Sequence, residues 1–256
     1  MRKVNLALSF VLAACGSAAP ATGTLAGPAS NRSDDERVLL RYAPPVGLRW
    51  VTETEATMDF GFGPMEMRAA VRSVVVGREG GVTSVESSVV RIAMRALGED
   101  RPVPETDLGA RIERFDVLGG RVAEGEASAP LAAPLLTTFP AEPVGVGSRW
   151  TVMPEMHGRS DLPPVEFELS SFEGEGDARV AVLHGTVAVP DPSVTGSNVP
   201  GPSLSLEARV DVSTGVVRSL SMRLEGAEAL PALPSARGNE GARVRIEVRM
   251  TTTPMP

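Results

Sequence analysis

Methionine and histidine are the side chains of this chain best suited to soft-metal chemistry, and they cluster once. Met153, Met156 and His157 sit close together in Met153-Pro154-Glu155-Met156-His157. Thioethers with an imidazole suit Cu(I), and Met65 and Met67 could add further thioethers. The competing reading is that methionines at alternating strand positions fill gaps in a core. We prefer it, so no metal and no cofactor is expected. His184 alternates with Val182 and Thr186, which makes it a packed or half-exposed strand residue. The sequence contains no Gly-x-Ser-x-Gly elbow, no His-Glu-x-x-His and no Cys-x-x-Cys. Lys3 is the only lysine, so phosphate loops, Ser-x-x-Lys nucleophiles and Schiff bases have no lysine elsewhere in the chain. No catalytic residue is assigned, and a non-catalytic protein is expected.

The covalent chemistry lies at the other end of the chain. The one cysteine, Cys15, closes Leu12-Ala13-Ala14-Cys15. Arg2 and Lys3 precede an apolar run from Val4 to Leu12. A run of about nine residues is half of the roughly twenty that a membrane span needs, so it reads as a cleaved secretory signal. The Leu-small-small-Cys box resembles the signal of bacterial lipoproteins. That resemblance implies residues 1–14 as signal peptide, Cys15 as the acylated residue, and a membrane partner held through that lipid. Gly16, rather than Asp, after the cysteine implies the outer membrane facing the periplasm over the inner membrane. A lone cysteine excludes an intramolecular disulfide. Residues 15–36 are rich in Gly, Ala, Ser, Thr and Pro and read as lipidated cysteine plus flexible tether.

Charge removes other classes. The formal net charge is −7, and loss of Arg2 and Lys3 with the signal makes it −9. Such a chain is not expected to bind nucleic acid or an anionic surface. Aromatics are few, so Trp50 and Trp150 are expected as core anchors rather than stacking platforms.

The dominant period is two, which argues antiparallel sheet with one buried and one wet face. Arg49 to Phe60 alternates, with Trp50, Thr52, Thr54, Ala56, Met58 and Phe60 on one face. Met67 to Val76 follows, then a turn over Gly77–Gly81. Val82 to Leu97 sets Val90, Ile92 and Met94 against Arg91 and Arg95. Val165–Phe172, Ala178–Val189, Leu204–Val210, Val216–Glu225 and Ala242–Thr251 behave alike. Asp116–Gly120 and Asp211–Gly215 are hairpin turns. A short helix is expected at 128–138, a second helix or an irregular loop at 226–238, and 190–203 is a long Pro/Gly-rich connection.

Pro44-Pro45-Val46-Gly47-Leu48-Arg49-Trp50 echoes Pro143-Val144-Gly145-Val146-Gly147-Ser148-Arg149-Trp150. The expected fold is therefore mostly β: one domain over 37–256 with a curved antiparallel sheet, a half-barrel or sandwich. It would comprise two related halves near 38–126 and 139–253, with one or two short helices. The strand order resembles, distantly, lipoprotein and lipid carriers of the LolA, LolB and RseB type. That implies a curved sheet around an apolar cavity. The expected function is non-catalytic binding of an apolar ligand or an envelope protein. The alternatives are a structural or assembly partner with a solid core, and a copper-binding protein.

Overall fold

The computed structural model describes residues 37–59, 63–101, 109–122, 138–153, 164–187, 203–226 and 244–256. Among these residues eleven strands make one antiparallel sheet. They are β1 (Arg49–Asp59), β2 (Pro64–Glu79), β3 (Val82–Ala96), β4 (Glu99–Arg101), β5 (Arg111–Phe115), β6 (Arg149–Val152), β7 (Val165–Glu173), β8 (Val180–Val187), β9 (Ser203–Asp211), β10 (Val217–Gly226) and β11 (Val244–Pro254). Their order is β4-β3-β2-β1-β11-β10-β9-β8-β7-β6, with β5 also on β3. The only helical element among the described residues is a 3-10 turn, Gly176–Ala178. The helix expected at 128–138 and the helix or loop expected at 226–238 lie outside the described residues except at one end each, as does nearly all of 190–203. Gly226 itself ends β10.

The sheet is curved and not closed. The hydrogen bonds of Tyr42 and Ala43 show how far it curls. Tyr42 N donates to Val117 O, beyond β5, at 2.9 Å, and Ala43 N donates to Thr214 O, between β9 and β10, at 2.9 Å. Five strand spacings separate β5 from β10 in the sheet order, about 24 Å if the sheet were flat. Adjacent residues have Cα atoms only about 3.8 Å apart, so the sheet must bend to bring both turns to them. The two sheet edges also meet at this end. Trp150 Nε1 donates to Thr138 O at 3.1 Å, and Phe139 N donates to Leu118 O at 2.7 Å. β5 and β6 nevertheless do not pair.

Each strand follows from its alternation. In β1, Trp50, Ala56 and Met58 are buried, while the intervening Glu53 and Glu55 carry exposed ion pairs to Arg91 and Arg68. Two details differ from expectation. β2 runs to Glu79, so the turn is only Gly80–Gly81; a register shift between Val75 and Gly77 lets the strand pass the glycine. A second shift, opposite Ala70 and Val71, turns Val90 outward to 53 % exposure, while Met94 stays buried.

The two echoed segments take the same backbone path. Gly47 and Gly147 both have φ +87°. Gly47 N donates to Val75 O and Val75 N to Leu48 O; Gly147 N donates to Leu169 O and Leu169 N to Ser148 O. Later, Asp116 Oδ1 accepts from Leu118 N and Gly120 N, and Asp211 Oδ1 accepts from Ser213 N and Thr214 N. These Asx turns replace ladder bonds at the strand ends.

Candidate functional site

One row of residues crosses nine strands on the inner face. Cross-strand partners run Met94, Met67, Ala56, Val248 and Met222 from β3 to β10. They continue through Leu206, Gly185, Phe167 and Trp150 from β9 to β6. Every side chain in the row is buried. The adjacent row, from Met65 through Met58, Ile246 and Leu224 to Leu204, is apolar as well. A period of two puts charge on the opposite side. There Arg68, Glu55, Arg249, Ser221, Glu207, His184, Glu168 and Arg149 are partners in turn. Exposed pairs of this kind contribute about 0–1 kcal/mol each, so the inner face holds the fold.

The inner face is not uniform. In the second half Phe167 lies over Gly185, where a β-carbon would sit 2.9 Å from Cε1. The ring stacks on Trp150 with centroids 5.9 Å apart and planes 19° apart. In the first half Trp50 faces Ser73, and Ser73 Oγ and Ser87 Oγ are hydrogen-bonded at 3.0 Å. Thr83, on the same face of β3, is fully buried, and its Oγ1 has no hydrogen-bond partner among the described residues. Across from Val85 stands Glu113, with its side chain 3 % exposed and Arg121 Nη2 3.9 Å from Oε1. Burial, and next the Glu113 carboxylate, push the Tyr42 phenol above its ordinary range. The Tyr42 ring meets Phe115 edge-on at 5.4 Å.

Among the described residues singled out for metal chemistry, Met65 and Met67 are far from Met153. Met65 and Met67 lie on β2, whereas Met153 follows β6, with six strands between β2 and β6 in the sheet order; Met153 is exposed. Met156 and His157 lie outside the described residues, as does Cys15. His184 projects outward from β8, with Nε2 3.6 Å from Glu207 Oε2. Among the described residues, no three His, Cys, Asp or Glu side chains are placed to hold a metal ion. No described helix is long and apolar enough to cross a membrane. Trp50 and Trp150 are core anchors.

Sequence reasoning missed Ser73, Thr83, Ser87 and Glu113. Hydroxyls at inner positions of Val-rich strands were the available signal. In Arg111-Ile112-Glu113 the alternation is inverted: Ile112 is 63 % exposed and Glu113 is buried.

No family model matches the chain, and no curated protein does. Among solved structures it is similar to one concerned with lipid–protein interactions in lipovitellin, at TM-score 0.50 and 9% identity. The match covers 84% of this chain and 25% of that one, so the chain spans about a quarter of its neighbour's length. A protein of the DUF1329 family from Desulfovibrio piger also aligns, at 7% identity over 81% of this chain and 84% of that one; its TM-score of 0.21 carries no argument. The lipovitellin likeness is one of fold: an extended antiparallel sheet.

Proposed function

We propose that this protein is an exported, non-catalytic lipoprotein that binds an apolar ligand on the inner face of its sheet. In this reading Cys15 carries the lipid and anchors the domain in the outer membrane, facing the periplasm. Its class would be that of the LolA, LolB and RseB carriers. The observation that carries the ligand assignment is the unbroken apolar row from Met94 to Trp150 on a sheet that curls without closing. A sheet of this shape offers an apolar face without sealing it behind a complete hydrogen-bonded ladder. The fold likeness to lipovitellin, whose neighbouring structure concerns lipid–protein interactions, supports the same assignment.

Native mass spectrometry of the full chain, released gently from a bacterial envelope, tests it. The expected result is a stoichiometric non-covalent mass that extracts as a fatty acid or phospholipid. A bare mass that also fails to take up added hexadecanoate overturns the reading. It would leave a solid core and move the search to an envelope-protein partner.

A further inference from the structure

Alternation puts apolar side chains inside the sheet and charged ones outside, and the first half breaks that rule three times in the same direction. The register shift between Val75 and Gly77 in β2 leaves Val76 on the outer face, 43 % exposed. The shift opposite Ala70 and Val71 turns Val90 outward in the same way. Bulges re-aim side chains like this. The inverted alternation of β5 adds Ile112 to the same face. Val74 joins them, because it partners Glu86 and Glu86 in turn partners Ile112. Two strand spacings separate Val74 from Ile112, about 10 Å. Clustered apolar side chains on the wet face of a sheet mark a surface that a partner covers.

The charges within this patch identify the partner. Arg72 and Glu86 are both exposed and lie diagonally across β2 and β3, since Arg72 partners Ser88 and Glu86 partners Val74. Among the described residues neither takes part in an ion pair or a side-chain hydrogen bond. Beside the patch the charges do pair within the chain, Glu53 with Arg91 and Glu55 with Arg68. The patch therefore presents one unpaired cation and one unpaired anion side by side. An acidic or a basic partner would satisfy one of them and repel the other. A second copy of the same surface, turned about a two-fold axis, satisfies both, because such an interface is self-complementary.

We propose that the outer face of β2, β3 and β5 is a self-association surface through which two copies of this chain pair about a two-fold axis. The contact covers Val74, Val76, Val90 and Ile112, and Arg72 of each copy meets Glu86 of the other. The inner faces point away from this contact, so the inference is independent of the apolar-ligand reading.

Sedimentation equilibrium of the full chain, in density-matched detergent with micelles in excess over protein, tests it. The wild-type chain is expected to dimerise at micromolar concentration or below. Ile112→Lys changes an exposed position and should raise the dissociation constant at least about tenfold. Arg72→Glu alone and Glu86→Arg alone should each do the same, because each sets like charges against each other in both reciprocal contacts. An equimolar mixture of those two variants should recover dimerisation to within about threefold of wild type, because opposite charges face each other again. A wild-type chain that stays monomeric over about 1–100 μM overturns the inference and reassigns the patch to a different protein. A dimer that Ile112→Lys leaves intact, or charge reversals whose mixture fails to recover, overturns it as well. The wild-type measurement decides the matter even if a variant does not fold.

Discussion

A β-carbon on Gly215 would lie 2.1 Å from the Arg41 carbonyl oxygen. The backbone of residues 41–43 therefore rests directly on the β9–β10 turn. Gly215 has φ +71°, so a side chain there meets both a strained backbone and a fixed obstacle. Gly80 has φ +58° with nothing within 4 Å of its would-be β-carbon. Gly80→Ala should cost about 1 kcal/mol, the conformational penalty alone. Gly215→Ala should cost roughly 3 kcal/mol or more, because Arg41 and Tyr42 must also move. Urea unfolding of both variants separates the two terms; equal losses would mean that residues 41–43 yield freely.

Gly185 tests the apolar half of the inner face. Its β-carbon would press on the Phe167 ring at 2.9 Å, and that ring is held by its stack on Trp150. Overpacking of this kind costs typically about 1–3 kcal/mol. Gly185→Ala should lower the unfolding midpoint and perturb Trp150 fluorescence. Phe167→Leu in the same chain should recover part of the loss, because a smaller side chain clears the space. A double variant no better than the sum of the single changes would show that the two residues do not share the strain.

Asp211 gives the fold a dependence on acid. Burial alone would raise its pKa, but hydrogen bonds from Ser213, Arg218 and the Thr214 amide outweigh that and hold it below the ordinary value of 3.8. A carboxylate whose folded pKa is depressed contributes stability that is fully present above the unfolded value. That contribution is lost as pH falls through the folded one. Urea midpoints should therefore be level for this group above about pH 5 and decline below its ordinary value. In Asp211→Asn the midpoint should be lower at neutral pH and the acid decline shallower. An unchanged acid slope would assign the decline to other carboxylates.

Local pattern carried much of the architecture into the sequence. The alternation from Arg49 to Asp59 is β1, Asp211–Gly215 is the hairpin turn between β9 and β10, and Leu220, Met222 and Leu224 face inward. These features depend on neighbours a few residues away, which a period of two records. Where a bulge shifts the period the reading slipped, as at Val90 and Gly77. The pairing of β1 with β11 could not be read, because it joins Trp50 to Pro254 and depends on the curl of the entire sheet. The polar group at the first half's inner face was hidden for a related reason. Glu113 is inside because its register opposes Val85, and nothing in Arg111-Ile112-Glu113-Arg114 reports that register.

In the proposed function, Cys15 sets where the sheet works. The apolar run before it is shorter than a membrane span needs, and the lipobox resemblance implies its thiol as the acylation point. Several acyl chains on one residue would make the anchor durable, since each buried methylene adds about 0.8 kcal/mol. Cys15→Ala should abolish incorporation of labelled palmitate and reduce retention in washed membranes to background. The sheet itself should be unaffected, because the substitution lies outside its eleven strands, which span Arg49 to Pro254. Circular dichroism of the variant should keep its β signal. A Cys15→Ala chain that still takes up palmitate would overturn the lipobox reading and, with it, the placement of the apolar face in the cell envelope.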